Sequence, residues 1–192
     1  TNEILLINYD AAASAGLGKW ENLGTDGGAA LDWTLGQGVT LNAVTSARDG
    51  VSKAYAWDGS VDATVYLSLT GTMDSPSEIL GTGLDLRSAS IELWARPTAE
   101  DLTQNTILFE TGGGTGTGII IDSNGVLRAA NGIRVAEIAY DLAADSLGVL
   151  GGSATSEFFQ VTLVVDLDND LNSLYLNGTL VGTAANPTTT DW

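Results

Sequence analysis

The 192-residue sequence contains no cysteine and no histidine, and these two absences exclude much of enzyme chemistry. Without cysteine the chain forms no disulfide, no zinc thiolate site and no cysteine nucleophile. Without histidine it cannot build a Ser-His-Asp triad or a histidine-ligated metal site. Any catalysis would therefore depend on carboxylates, hydroxyls or one of two lysines, Lys19 and Lys53.

Basic residues are scarce as well, because seven Lys and Arg stand against 24 Asp and Glu and give a formal net charge of −17. We expect no nucleic-acid partner, since binding to phosphates needs clustered Lys and Arg. The sequence has no apolar run of about eighteen residues, so we expect no membrane insertion. The absence of cysteine suits a bacterial secreted protein or a cytosolic one. The acidic balance keeps a protein soluble in salty or calcium-rich surroundings, so we favour an extracellular or cell-surface location in a bacterium over the cytoplasm.

Proline is rare, with three residues, whereas 24 glycines fall in clusters between short apolar segments. Glycine clusters between short apolar segments are typical of the turns that join strands in an all-β protein. The segments of strand length are residues 3–9, 39–44, 53–57, 64–69, 90–96, 106–110, 118–122, 126–130, 134–139, 158–166, 173–177 and 179–183. About a dozen strands need two stacked sheets, so we predict one antiparallel β-sandwich domain over residues 1–192.

Alternation of apolar and polar residues assigns faces to two of these segments. In residues 90–96 the odd positions share an apolar face, and Glu92, Trp94 and Arg96 share the other. In residues 159–165 the odd positions form the predicted core face. The dipeptide Asn177-Gly178 tolerates the positive φ angles of a type I′ turn and predicts a tight hairpin. Helix competes with strand only in residues 11–17 and 136–147, and neither alternative changes the fold class.

Several motifs, taken in order, resemble the laminin-G-like, concanavalin A-like jelly-roll superfamily in its bacterial form. They are WENLG at residues 20–24, AYAWDG at 54–59, SIELWARP at 90–97, ILFETG at 107–112, and VTLVVD at 161–166 followed by LYLNG at 174–178. The resemblance implies a two-sheet jelly roll with one concave face. It implies less about function, because this fold serves lectins, adhesins, sugar-binding modules and glycosidases.

The end of the sequence departs from that pattern. Similar domains close with a further C-terminal strand beside the N-terminal one, whereas this sequence stops soon after the predicted hairpin. Residues 3–9, with four aliphatic side chains in a row, would then lack a neighbour, and an open apolar edge promotes association. Strand exchange within a homo-oligomer and a closing strand in a longer polypeptide both remain open.

Glycoside hydrolysis is the enzymatic alternative, because it needs only two carboxylates roughly 5 to 10 Å apart. Laminarinase-like members of the resembled superfamily carry them as Glu-x-Asp-x-x-Glu on one strand. Glu92 is the nearest candidate, but Trp94 stands two positions on and no second carboxylate follows on that face. Glu110 and Glu137 stand alone in their segments. We therefore predict no catalytic residue and no enzyme.

The densest carboxylate cluster is Asp166, Asp168 and Asp170, in the connection between two predicted strands. Alternating carboxylates are what a calcium loop offers, since calcium takes six to eight oxygen ligands. The cluster lacks the glycine and the closing glutamate of an EF-hand. It also fits a plain hairpin loop, in which Asp and Asn favour turn geometry. Calcium is thus the one candidate cofactor, and both interpretations remain open.

Exposed aromatic rings suit sugar stacking, because a pyranose ring presents apolar C–H groups to a π-face. Trp20 and Trp33 lie in a Gly-rich stretch, residues 16–38, that we interpret as loop, so they are the candidate ligand-binding residues. Trp57 and Trp94 lie inside predicted strands, where packing in the core or on a sheet face is the expected role.

These observations favour a non-catalytic extracellular recognition or adhesion module that binds a glycan or a protein partner as part of a larger surface or secreted protein. The alternative is a structural subunit that self-assembles by strand exchange into a surface layer or filament. A glycoside hydrolase relative ranks third.

Overall fold

The computed structural model of the chain describes residues 19–20, 33–35, 39–44, 53–57, 65–67, 88–110, 117–131, 137–166 and 168–185. The chain divides into two compact units, Thr1–Leu84 and Asp85–Trp192. Regular structure in the described residues is β-strand, apart from one 3-10 turn at Asp101–Thr103. Among these residues no helix is long and apolar enough to cross a membrane. The all-β prediction is confirmed.

Some sequence-based predictions are not tested by these residues. The strand predicted at residues 3–9, on which strand exchange depends, and the helical alternative at residues 11–17 lie outside the described residues. The assignment of residues 1–192 to one domain also stays a prediction.

In the described part of the first unit there are five short strands: β1 (Lys19–Trp20), β2 (Trp33–Leu35), β3 (Val39–Ala43), β4 (Lys53–Trp57) and β5 (Val65–Leu67). Strands β1, β2 and β5 form one antiparallel sheet in that order, and β3 pairs with β4. The interpretation of residues 16–38 as loop is wrong for β1 and β2. Strands of two and three residues are too short to show a period of two, and the surrounding glycines conceal them.

The described residues of the second unit form two four-stranded antiparallel sheets. The front sheet, in the order β13-β12-β11-β6, consists of β6 (Ser88–Ala95), β11 (Phe159–Asp166), β12 (Leu171–Leu176) and β13 (Thr179–Ala185). The back sheet, in the order β10-β9-β8-β7, consists of β7 (Thr106–Glu110), β8 (Gly118–Ile121), β9 (Val126–Ala130) and β10 (Ile138–Asp141). Each overlaps a predicted segment, although β10 shares only Ile138 and Ala139 with the predicted residues 134–139. Within residues 136–147, where helix competed with strand, β10 is a strand.

The two sheets pack face to face on an apolar core. On β11 the odd positions are at most 1% exposed, as the alternation predicts: Phe159, Val161, Leu163 and Val165. The back sheet contributes side chains with no exposed surface to the same cluster: Ile119, Ile121, Leu127 and Ala129. Full burial of each large apolar side chain stabilises the fold by about 1.5–3 kcal/mol. This packing makes the second unit a β-sandwich and confirms the predicted fold class.

The hairpin between β12 and β13 has the predicted turn. Asn177 and Gly178 both have positive φ angles, 50° and 78°, as a type I′ turn requires. Next to this turn, the pairing of β12 with β13 shifts register between Leu174 and Tyr175. Tyr175 lies opposite Leu180, and Leu174 lies opposite Gly182. A shift of this kind is typical of a β-bulge, which re-aims the side chains of an edge strand.

At Gly182, β13 packs closely against β10 of the back sheet. A Cβ placed on Gly182 would lie 2.5 Å from Cγ2 of Ile138, a buried core residue of β10. No side chain fits at that distance without movement of Ile138. The absence of a side chain at position 182 therefore permits the close packing of these two strands.

We expect Gly182→Ala to lower the free energy of unfolding by about 1–3 kcal/mol, since overpacking displaces core side chains. Thermal or urea unfolding measures the loss. Gly118→Ala is the matched control, because its added Cβ would have an ordinary contact 3.9 Å from the Phe109 carbonyl oxygen. In an Ile138→Ala background, which lacks Cγ2, Gly182→Ala should cost less. An equal cost in both backgrounds would contradict the packing described here.

Candidate functional site

The outer face of the front sheet carries an unusual combination of exposed side chains on β6. Its apolar odd positions, Ile91, Leu93 and Ala95, pack against the core, and Glu92 and Trp94 point outward. Arg96, one residue beyond β6, is exposed as well. The predicted division of faces is confirmed. Trp94 is 40% exposed, so it lies on the sheet face and not in the core.

Strand register places polar and aromatic residues beside Trp94. Gln160 of β11 lies directly opposite Trp94, and Thr162 lies opposite Glu92. On its other side Thr162 is opposite Tyr175, which is in turn opposite Leu180 of β13. Residues directly opposite on neighbouring strands share a sheet face. We call these outward residues the Trp94 face: Glu92, Trp94, Gln160, Thr162, Tyr175 and Leu180.

The Trp94 face holds one carboxylate where a glycosidase needs two. In the register of the described strands, the positions next to Glu92 are Ser90, Trp94 and Thr162. Retaining and inverting glycosidases both place a second carboxyl group across the scissile bond. Glu92 has no such partner among its neighbours on these strands.

Trp20 and Trp33, the predicted ligand-binding residues, are brought together by the first unit. They are register partners on β1 and β2. They therefore belong to a strand pair and not to a loop rim, which corrects their predicted setting. Their role in ligand binding stays a prediction.

The three clustered aspartates lie around the turn that joins β11 to β12. Asp166 accepts hydrogen bonds from the backbone N–H of Asn169 at 3.1 Å and from its side-chain Nδ2 at 2.7 Å. Asp170 has a φ of 52°, as turn residues often do. In the part of the chain that the structure describes, no three acidic, Cys or His side chains are grouped to hold a metal ion. The calcium site stays a prediction.

A separate charged group lies on the outer side of the back sheet. Arg128 of β9 donates from Nε to Asp122 Oδ2 at 2.7 Å and from Nη1 to Glu137 Oε1. Asp122 also accepts the backbone N–H groups of Asn124 and Val126 at 2.8 and 3.1 Å. The hydrogen bond from Arg128, aided by these N–H groups, lowers the pKa of Asp122 below its ordinary 3.8. The two carboxylates raise the pKa of Arg128.

In a connecting segment, residues 141–150, the carboxylate of Asp145 accepts several hydrogen bonds, a role that the sequence analysis did not single out. Asp145 accepts from Tyr140 Oη at 2.7 Å and from the N–H groups of Val149 and Leu150 at 3.0 and 3.2 Å. Asp145 has a φ of 36°, an uncommon conformation for a non-glycine residue. Burial raises the pKa of Tyr140, and its hydrogen bond to Asp145 adds to the effect.

Asn177 joins that segment to the front sheet. Its Nδ2 donates to the Val149 carbonyl at 2.7 Å, and its Oδ1 accepts the Gln160 N–H at 2.9 Å. Its own N–H donates to the Gln160 carbonyl at 3.0 Å. Asn177 therefore fixes the end of β11 on which Gln160 stands.

We expect the stability of the chain to fall as the pH drops through the lowered pKa of Asp122. A carboxyl whose pKa is lower in the folded state stabilises the fold above its unfolded value of 3.8 and loses that contribution on protonation. Asp122→Asn should be less stable than the parent at pH 7 and more nearly equal to it below pH 3. Urea unfolding at both pH values measures this. Glu100→Gln, at an exposed carboxylate elsewhere, is the control. A pH-independent difference would contradict the prediction.

Comparison with known proteins identifies the fold and not a family. The sequence matches no protein-family model and no curated protein. The structure is similar to the binding domain of Paraclostridial Mosquitocidal Protein 1, with a TM-score of 0.62 and 15% identity, over 95% of this chain and 40% of that one. It is also similar to the botulinum neurotoxin serotype D binding domain, with a TM-score of 0.61 and 14% identity, over 90% and 39%.

A third similar structure is the binding domain of botulinum neurotoxin DC in complex with SialylT, with a TM-score of 0.51 and 17% identity, over 98% of this chain and 40% of that one. The chain thus spans about two fifths of the length of each of these domains. At such low identities the likeness concerns architecture alone. The chain therefore has the β-rich fold found in toxin binding domains.

Proposed function

We propose that this chain is a non-catalytic binding module of a longer extracellular or cell-surface protein, and that it recognises a glycan or a protein partner. The observation that carries the proposal is the shared fold with three proteins whose names describe binding domains. The chain corresponds to about two fifths of each, which suits a module that works beside other domains.

Within that proposal, the laminin-G-like, concanavalin A-like superfamily is the finer assignment. Three of the segments that carry the resemblance, residues 90–97, 161–166 and 174–178, fall on the front sheet, in β6, β11 and the β12–β13 hairpin. Their alternation and their type I′ turn agree with an antiparallel jelly roll.

Two features support a binding role over a catalytic one. The chain has no Cys or His to serve as nucleophile or base. On the described strands around it, Glu92 has Ser90, Trp94 and Thr162 for neighbours and not a second carboxylate. One carboxylate with hydroxyl and aromatic neighbours suits the binding of a polar ligand better than glycoside hydrolysis.

The first test is a glycan array together with binding to whole cells and candidate surface proteins. We expect saturable binding to at least one class of glycan or to one protein, without turnover of any glycan that binds. Trp20→Ala and Trp33→Ala are predicted to weaken glycan binding if the β1–β2 pair contacts the sugar. Release of reducing sugar, or silence on glycans and protein partners alike, would contradict the proposal.

Calcium is proposed as a weak structural ligand of Asp166, Asp168 and Asp170. Carboxylates in a chain of net charge −17 repel one another, and a divalent ion would relieve that repulsion. We expect millimolar calcium, compared with chelator, to raise the melting temperature by at least about 2 °C. Asp168→Asn should abolish the rise and the control Glu100→Gln should keep it. No rise, or a rise that survives in Asp168→Asn, would favour the plain turn.

A further inference from the structure

The Trp94 face combines exposed apolar surface with hydrogen-bonding groups. Trp94 is 40% exposed and Leu180 is 47% exposed, while Tyr175 between them is half-buried. On the opposite side of the same sheet, by contrast, the core positions of β11 are almost fully buried. Trp94 and Leu180 therefore expose part of their apolar surface on the outer side of the front sheet.

The polar groups around the ring have mixed hydrogen-bonding character. Gln160, directly opposite Trp94, offers an amide that both donates and accepts. Glu92 offers acceptors only, and the Thr162 hydroxyl offers both. Sugar hydroxyls are themselves donors and acceptors, so one ligand could use all three groups. An aromatic ring beside them is suited to stack on the apolar C–H face of a pyranose.

The dimensions of the face suit more than one sugar ring. Trp94 and Tyr175 stand on β6 and β12, with β11 between them, so roughly 10 Å separate the two strands. Tyr175 is opposite Thr162, which lies two residues along β11 from Gln160. A ligand that touches both aromatic side chains therefore runs diagonally across three strands, as an oligosaccharide could.

The charge of the chain favours neutral oligosaccharides over anionic ones. The chain carries a net charge of −17, and its field disfavours anionic ligands. On β6 and the residue after it, the outward charges are Glu92 and Arg96, which balance. Arg96 lies with its guanidinium carbon 4.8 Å from the centre of the Phe158 ring and covers it. The two outward charges of β6 and the residue after it therefore cancel beside Trp94, within a strongly acidic chain.

From these observations we propose that the Trp94 face is a binding site for a neutral oligosaccharide, with Trp94 as the stacking platform and Gln160, Glu92 and Thr162 as the hydrogen-bonding groups. The proposal rests on the proposed function, and on its ligand being a glycan and not a protein. It assigns recognition to the second unit and to a residue other than Trp20 and Trp33.

Titration calorimetry with the intact chain against neutral and sialylated oligosaccharides of matched length tests the site. Trp94→Ala should weaken binding of the neutral ligand at least about tenfold, as for a central aromatic anchor. Trp94→Phe should lower the affinity less, because it keeps an aromatic ring. Gln160→Ala should lower the affinity by a smaller factor than Trp94→Ala. Ile107→Ala removes another exposed apolar side chain, 62% exposed on the back sheet, and should leave the affinity unchanged.

The outcomes separate this proposal from the broader one. If neutral glycan binding survives Trp94→Ala and Gln160→Ala, the Trp94 face is not the binding site, but the chain can still be a binding module. A preference for the sialylated ligand has the same meaning. Binding of a protein partner without any glycan also overturns the site alone. Silence toward glycans and proteins alike overturns both proposals. Melting curves confirm that each variant is folded. If Trp94→Ala does not fold, Trp94→Phe still tests the site.

Discussion

Burial of one face of β11 is the constraint on which the second unit depends. Its core-facing side chains have almost no contact with water, and β6 and β12 pair with it on either side. Because side chains alternate along a strand, a shift of one residue would expose this entire apolar set. The register is therefore strongly determined, and every outward position on the three strands is determined with it. The surface around Trp94 is a consequence of the core.

Polar residues hold the sandwich together where the strands end. Asp145 organises residues 141–150, and Asn177 ties that segment to the start of β11. On the back sheet, Arg128 neutralises two carboxylates in a chain that has few cations to spare. Buried and half-buried polar groups of this kind add specificity, because each loses its hydrogen bonds if the local geometry changes.

The parts of the fold that follow from local pattern could be predicted from the sequence. Alternation located β6 and both of its faces, and Asn177-Gly178 located the last hairpin. Strands β1 and β2 could not be found, because two or three residues carry no periodic signal. The role of Asp145 was also inaccessible, since its positive φ and its partners depend on how the chain folds back after β10. The outward position of Trp94 followed from alternation with Glu92 and Arg96, although its place inside a strand had favoured a packing role.

The hydrogen bonds of Asn177 bear on chemical modification of the chain. Asn177, Gly178 and Thr179 form the acceptor sequence for N-linked glycosylation, which attaches a sugar to the asparagine side-chain nitrogen. That nitrogen lies 2.7 Å from the Val149 carbonyl oxygen, and the side-chain oxygen already accepts the Gln160 N–H. A bulky group attached there would separate residues 141–150 from the front sheet. Once the domain has folded, the hairpin itself therefore shields this asparagine from a glycosylating enzyme, although the sequence alone would mark it as an acceptor.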